Sequence, residues 1–372
     1  MSGGVDSSVA AALLAEQGHE VIGVSMQLYD QTDGNRTFGS CCTLDDLHDA
    51  RRVAAAIDIP HYILNFERQF DEQVVSNFVH EYASGRTPLP CARCNSDLKF
   101  STLLERACGF GADRVATGHY ARVDYDAATG RYVLKRGVDP AKDQSYFLFS
   151  LTQEQLARAV FAVGDRTKEA VREYARRRNL PVADKPDSQE ICFIPDNDYV
   201  KFVSAHAPQT AHAAGAIVDE SGRVLGRHDG VHRFTVGQRK GLGLSNSTNP
   251  PGPPGSPRLP SSTGGARVYV LSLDAVDQRV VVGPKSSLER ATLTASGVNW
   301  MLGEPSGPLR VTAQIRHRHQ PAPATVRSIG SGRSARDGRA ELLFDTPQIA
   351  ITPGQAVVFY KDDVVQGGGW ID

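Results

Sequence analysis

The sequence has few cysteines and no long apolar run, and both absences limit what the protein can be. Six cysteines in 372 residues are too few for a disulfide scaffold, so clustered ones favour chemistry or metal binding instead. No apolar segment approaches the roughly 20 residues that span a bilayer. The first residues also lack the pattern of a signal peptide. We therefore expect a cytoplasmic protein with no membrane partner.

Charge is almost balanced, with a net value of −1, which does not by itself indicate a nucleic-acid ligand. The distribution is uneven, however, because residues 310–339 contain seven arginines and a single acid, Asp337. Such a local basic stretch can contact phosphates in a chain that is neutral overall. On charge alone, a solvated arginine-rich hairpin explains it equally well.

The first half of the chain alternates between helical and strand-like patterns. Helices are predicted at residues 6–17, 44–57, 68–84 and 97–108, and strands at 20–28, 61–66 and 114–117. This alternation predicts an α/β fold with a parallel sheet covered on both faces.

The second half consists of short strand patterns separated by glycine and proline turns. The change near residue 205 predicts three domains: an α/β domain over 1–205, a small β-rich linking domain over 206–287 and a β-barrel over 288–372. Within the linking domain, the proline-rich residues 246–265 form a low-complexity loop that is not expected to be ordered throughout.

The most informative segment is SGGVDSS at residues 2–8. Its glycines let backbone N–H groups approach a phosphate, and its serines stand where a helix begins, which is the end of a helix that binds anions. Asp6 is a candidate to position a Mg2+ ion between phosphates. Because the chain has no GxxxxGK[ST] motif, this is not a Walker loop.

This segment resembles the pyrophosphate-binding loop of the N-type ATP pyrophosphatases, which cleave ATP to AMP and pyrophosphate while adenylating a substrate. In such a fold the loop leaves the carboxyl end of a strand. We therefore expect a first strand to precede residue 1 and to be missing from this sequence.

Two cysteine motifs indicate sulfur chemistry. PCARCN at residues 90–95 leads into a predicted helix, and DSQEICFI at residues 187–194 lies far downstream. Cysteines near the amino end of a helix are often reactive. A sulfur relay requires two thiols, one that carries a persulfide and one that resolves it. CxxC alone does not distinguish a redox motif from half a metal site.

Further motifs follow in a fixed order along the whole chain: ATGHYAR at 116–122, KDQSYFL at 142–148, RKGLG at 239–243 and TPGQAVVFY at 352–360. Together with the three segments above, this series closely resembles the tRNA-specific 2-thiouridylase family. The resemblance implies an N-type ATP pyrophosphatase domain, a small central domain and a C-terminal β-barrel that holds tRNA. It also implies synthesis of 2-thiouridine at wobble uridine 34 of the tRNAs for Lys, Glu and Gln.

The resemblance further implies ATP and Mg2+ as cofactors, and a persulfide donor such as a cysteine desulfurase or a relay protein. Cys94 matches the catalytic nucleophile, and Cys192 matches the persulfide carrier. The positions that match ATP-binding residues are Ser2, Gly3, Gly4, Val5, Asp6, Ser7, Ser8, Met26 and Gly118. The positions that match tRNA-binding residues are Leu89, Pro90, Cys91, His119, Lys142, Asp143, Gln144, Arg316, His317 and Gln355.

Three of these positions differ from the usual family residues: Leu89 replaces Asn, Cys91 replaces an Asp found in some members, and His317 replaces Tyr. Two alternatives stay open at this point. Cys91, Cys94 and Cys192 could together ligate an iron–sulfur cluster that carries sulfide. The protein could instead bind tRNA with an inactive ATP site.

Overall fold

The computed structural model describes residues 1–29, 43–187, 191–194, 198–208, 213–244, 267–330 and 338–372. The loop predicted at 246–265 lies outside these ranges. Among the described residues, no helix is both long and apolar enough to cross a membrane.

The N-terminal part is an α/β domain, as the alternating pattern predicts. Its strands form two parallel pairs, β1 with β2 and β3 with β6. The strands are β1 (Gly23–Gln27), β2 (His61–Asn65), β3 (Val115–Thr117) and β6 (Ala159–Phe161). The helices packed around them include α1 (Val5–Glu16), α2 (Leu44–Ala56), α7 (Gln153–Arg158), α8 (Lys168–Arg177) and α9 (Tyr199–His206).

Two longer helical segments contain π-helical turns, which the sequence pattern does not predict. The first consists of α3 (Glu67–Phe70), a π segment (Asp71–Val75) and α4 (Ser76–Ala83). The second consists of α5 (Pro90–Arg93), a π segment (Cys94–Thr102) and α6 (Leu103–Gly109). The second segment begins at residue 90 rather than 97, because proline is tolerated in the first helical turn. Cys94 thus lies one turn inside the helix.

A β-hairpin of the α/β domain, also absent from the sequence prediction, joins the C-terminal sheet. It consists of β4 (Ala121–Asp126) and β5 (Arg131–Arg136), and Lys135 of β5 pairs with Val364. The Arg122 guanidinium donates to the Asp363 carboxylate over 2.7 Å. The hairpin therefore fixes the α/β domain against the barrel.

The second half forms a four-stranded sheet and a closed six-stranded barrel. In the sheet the strand order is β8–β7–β10–β9, and in the barrel it is β11–β14–β13–β12–β15–β16, closed by pairing of β11 with β16. The sheet strands are β7 (Gly215–Asp219), β8 (Val224–His228), β9 (Tyr269–Asp274) and β10 (Arg279–Gly283). The barrel strands are β11 (Glu289–Trp300), β12 (Leu309–Gln314), β13 (Ala322–Gly330), β14 (Arg339–Ile349), β15 (Ala356–Lys361) and β16 (Val364–Ile371).

One hydrophobic core is shared between the α/β domain and the barrel. Tyr146 and Phe149 pack in the same buried cluster as Met301 and Val358. The buried Tyr146 hydroxyl donates to the Ala356 carbonyl over 2.9 Å. The two parts are therefore joined by apolar packing as well as by the hairpin.

Candidate functional site

The SGGVDSS segment forms a tight loop that runs directly into α1. Gly3 has a φ of 70°, and a Cβ atom there would lie 2.3 Å from the Asp46 carbonyl oxygen, so only glycine fits. Gly4 is the N-cap and makes no side-chain cap bond. The hydroxyls of Ser7 and Ser8 both donate back to the Gly4 carbonyl, over 3.1 and 2.9 Å. The N–H groups of the first turn are thus left for an anion.

Gly118 brings the ATGHYAR segment into contact with this loop. A Cβ atom on Gly118 would lie 2.6 Å from the Asp6 carbonyl carbon and 2.6 Å from the Ser7 nitrogen. Met26 lies on β1, and its side chain packs against a different hydrophobic cluster, the one that contains Cys94. The structure thus groups the ATP-binding positions predicted at residues 2–8 with Gly118.

A network of charged side chains extends from the loop. Lys168 donates to both Asp6 oxygens over 2.8 Å and lies 2.7 Å from an oxygen of Asp187. Asp187 also accepts from Lys142 over 2.7 Å and from Arg172 over 2.9 Å. Burial alone would raise the pKa of Asp187, but the hydrogen bonds from Lys142 and Lys168 lower it to about 2. The loop, the KDQSYFL segment and the DSQEICFI segment therefore converge.

Sequence reasoning missed Lys168, Arg172 and Tyr120 in this network. The Tyr120 hydroxyl donates to Asp6 over 2.7 Å, which together with burial raises the pKa of that tyrosine. Tyr120 belongs to the ATGHYAR motif, so the sequence could have indicated it as a site residue. Lys168 stands outside every motif, and only its contact with Asp6, 162 residues away, reveals it.

The two cysteines of the predicted relay share one hydrophobic cluster. Cys94 is a buried member, 8% exposed, alongside Leu98 and Phe193, and Cys192 and Met26 are partly buried against it. Cys91 is exposed, and its carbonyl accepts from the Cys94 N–H within the same turn.

The metal groups that the sequence suggests are Mg2+ and an iron–sulfur cluster. Within the described ranges, no three His, Cys, Asp or Glu side chains are grouped so as to hold a metal ion. Among the described residues, Cys91, Cys94 and Cys192 do not form such a group. Asp6 is the one carboxylate of the loop, and it is engaged by Lys168 and Tyr120.

The segment that precedes Cys91 is held by the barrel. Gln355 donates to the carbonyls of Thr87 and Pro88 over 3.1 and 3.2 Å, and the Thr87 N–H donates to the Pro353 carbonyl over 2.8 Å. Gly354 approaches closely, because a Cβ atom there would lie 2.9 Å from the Thr87 nitrogen. We call residues 353–355 with residues 87–88 the barrel clasp. Leu89 and Pro90 follow immediately, half-buried and buried.

Two of the predicted tRNA-binding residues have partners within the protein. Asp143 is 8% exposed and accepts from Arg136, from Ser145 and from the Gly137 N–H. Gln144 is bonded to the Tyr120 backbone in both directions, over 3.0 and 2.9 Å. Both side chains therefore shape this loop, and their contact with RNA stays a prediction.

His119 is half-buried between aromatic rings, with ring centroids 6.4 Å from Phe100 and 6.2 Å from Phe161. Burial and the nearby Lys99 ammonium hold the pKa of His119 well below its usual value. A contact of this side chain with RNA would therefore be made by a neutral ring rather than by a charge.

The barrel carries the remaining predicted contacts. His317 packs on Phe147 with centroids 4.6 Å apart, and Arg316 donates to the Ile349 carbonyl over 3.2 Å. Three of the five described arginines in this stretch pair with acidic side chains: Arg310 with Asp345, Arg327 with Glu341 and Arg339 with Asp372. These pairs favour the solvated hairpin. Residues 331–337 lie outside the described ranges.

Comparison with known proteins gives matches along the whole chain. A family model described as the tRNA methyl transferase HUP domain matches residues 1–196. A tRNA methyl transferase PRC-barrel domain model matches residues 200–284, and an aminomethyltransferase beta-barrel domain model matches residues 290–371.

Full-length relatives carry a single name. The tRNA-specific 2-thiouridylase MnmA of Geotalea uraniireducens is 51% identical over 100% of this chain and 93% of its own length. The proteins of the same name from Solibacter usitatus and Moorella thermoacetica are 50% and 48% identical, each over 100% of this chain and 98% of its own length. The chain belongs to the tRNA-specific 2-thiouridylase family.

Proposed function

We propose that this protein is a tRNA-uridine 2-sulfurtransferase, which adenylates the C2 oxygen of wobble uridine 34 with ATP and replaces that oxygen by sulfur. One observation carries the proposal. Cys192 packs with Cys94 in one cluster, and Asp187, five residues before Cys192, is linked through Lys168 to Asp6 of the phosphate loop. These contacts support one site that would hold both ATP and the thiol pair.

The chemistry follows from the poor leaving group at C2 of uridine. Transfer of AMP from ATP turns the C2 oxygen into a phosphate-ester leaving group, and the N–H groups at the amino end of α1 would offset charge on the departing pyrophosphate. Asp6 would hold the Mg2+ that accompanies ATP, which would supply further positive charge there. The Cys94 thiolate attacks Sγ of a persulfide on Cys192, and the S–S bond to the terminal sulfur breaks. Hydrosulfide leaves and displaces AMP from C2. The Cys94–Cys192 disulfide that remains is reduced by an external dithiol.

We propose that tRNA binds at the barrel clasp and at the neighbouring residues of the α/β domain and the barrel. Leu89 to Cys91 would meet the target base, which has to leave its stack to reach Cys94. Lys142, Arg316 and His317 supply the surrounding contacts, whereas Asp143 and Gln144 shape the loop that presents Lys142. The α/β domain, up to about residue 205, would carry out the reaction. The linking domain and the barrel, which meet near residue 287, would hold the tRNA.

We further propose the tRNAs for Lys, Glu and Gln as substrates, and a cysteine desulfurase or a relay protein as the sulfur donor. Because tRNA is used where translation takes place, the proposed site of action is the cytoplasm. The matching family models are named for methyl transfer, whereas the relatives are named for thiolation. The thiol pair beside a pyrophosphate-type loop supports thiolation.

The test combines purified protein, ATP, a persulfide donor and unmodified tRNA with U34. We expect 2-thiouridine at position 34 and one pyrophosphate released per modified base, and neither product with the same tRNA carrying C34. Pyrophosphate release without 2-thiouridine, or a methylated uridine as the product, would reject the proposal. Full activity of a colourless, iron-free preparation would separate this chemistry from the iron–sulfur alternative.

A further inference from the structure

Lys168 lies where the phosphate groups of a nucleotide would approach the loop, although no motif includes it. Its side chain is 11% exposed, and its ammonium group bridges Asp6 in the first turn of α1 and Asp187. The ammonium group also lies 5.9 Å from the centroid of the Tyr120 ring. A cation is thus held at the helix end whose free N–H groups attract anions.

We propose that Lys168 binds the phosphate groups of ATP and gives up its carboxylate partners when ATP arrives. The inference rests on the proposed function, because it takes residues 2–8 as the ATP phosphate loop. Lysine is suited to this role, since its flexible stem can move the point charge from a carboxylate to a phosphate.

When the Lys168 ammonium moves to the phosphates, both carboxylates that it leaves still have partners. Asp187 keeps Lys142 and Arg172 when Lys168 leaves, at the 2.7 and 2.9 Å distances observed here. Asp6 keeps the Tyr120 hydroxyl and gains the Mg2+ that accompanies ATP, for which a carboxylate is a suitable ligand. No carboxylate is left buried without a partner, which is the arrangement that would cost most.

The exchange also ties the sulfur-carrying segment to nucleotide occupancy. Asp187 begins the DSQEICFI segment that contains Cys192, and Lys168 is one of the three cations that hold it. When Lys168 binds phosphate, Asp187 keeps two of these three ion pairs, so the segment is held less firmly.

The test measures tRNA-dependent pyrophosphate release for Lys168→Met, with Arg176→Met as the matched control. Arg176 lies on the same helix but is 58% exposed and paired with Asp184. We expect the ATP KM of Lys168→Met to rise roughly 10- to 100-fold, as for loss of one charge-assisted hydrogen bond, with the tRNA Kd unchanged. Arg176→Met should match the wild type in both values.

An unchanged ATP KM in a folded Lys168→Met protein would overturn the inference, and so would an equal loss of tRNA binding. If Lys168→Met does not fold, the same measurement is made on Lys168→Arg. Arginine keeps a positive charge near Asp6 and Asp187, but its planar guanidinium group differs in shape from the lysine ammonium. The ATP KM of Lys168→Arg should still rise; a wild-type value would refute the inference. Absence of pyrophosphate release in the wild type would instead refute the proposed function.

Discussion

Close approach of backbone segments shapes the phosphate loop at the residue scale. Gly3 rests against Asp46, and Gly118 rests against Asp6 and Ser7, in each case at distances that no side chain would allow. These contacts place the ATGHYAR segment against the amino end of α1. Changes at single glycines should therefore act on nucleotide binding more than on the fold as a whole.

We expect Gly118→Ala to lose most tRNA-dependent pyrophosphate release. The new methyl group would lie 2.6 Å from loop backbone atoms, and forcing it in should destabilise the protein by about 1–3 kcal/mol. Gly109→Ala is the matched control, because nothing lies within 4 Å of a Cβ atom there. Equal pyrophosphate release by the two variants would contradict the close contact.

His119 gives a pH prediction. Because burial and Lys99 lower its pKa in the folded protein, the unfolded chain takes up the proton first as the pH falls below about 6.5. The contribution of His119 to stability is therefore full above that pH and is lost as the pH falls toward its folded pKa. NMR titration should show a neutral His119 ring at about pH 6, and His119→Asn should weaken the loss of stability on acidification. A ring already protonated at that pH would refute this.

At the scale of elements, the barrel clasp and the helix from Pro90 to Gly109 position Cys94, the proposed nucleophile. The clasp fixes residues 87–88, the helix begins two residues later, and a π segment starts at Cys94. Single π-helical turns occur frequently at functional sites. The barrel thereby helps to place a cysteine of the other domain.

We expect Gln355→Ala to lower kcat for thiolation and raise the tRNA KM, while the ATP KM stays unchanged. The variant removes both bonds to residues 87–88, and the loss of stability should be about 1 kcal/mol. Gln366→Ala is the control, since the Gln366 amide donates only within its own strand, over 3.5 Å to Val364. If both variants behaved alike in steady-state kinetics, the clasp would have no role in catalysis.

Sequence reasoning succeeds for elements whose pattern is local. The helix predicted at 6–17 is observed at Val5–Glu16, and the strand predicted at 61–66 is observed at His61–Asn65. The hairpin of β4 and β5 was missed because its partner strand β16 lies more than 200 residues away. Lys168 was missed for the same reason, since ion pairs between distant segments leave no periodic signal.

At the scale of the whole molecule, the shared core predicts that the α/β domain and the barrel unfold together. Both tryptophans lie on barrel strands, Trp300 against the barrel core and Trp370 against the shared core. Their fluorescence therefore reports the barrel and its contact with the α/β domain, while the far-ultraviolet helix signal reports the α/β domain. We expect the two signals to give coincident denaturation curves.

Tyr146→Phe should lower the free energy of unfolding by about 1–3 kcal/mol in both signals, because it leaves the buried Ala356 carbonyl without its donor. Tyr125→Phe is the control, since Tyr125 is 59% exposed, and it should shift neither curve. Separate transitions, or a shift confined to one signal, would show that the domains are energetically independent.

The proposed sulfur transfer requires Cys94 and Cys192 to react with each other when ATP and tRNA are bound. The direct measurement is peptide mass spectrometry of protein loaded with persulfide at Cys192 and mixed with ATP and tRNA. We expect one Cys94–Cys192 disulfide for each 2-thiouridine formed, and neither product when ATP is omitted or Cys94→Ser is used. Full 2-thiouridine formation by Cys192→Ser, without that disulfide, would contradict the proposed transfer.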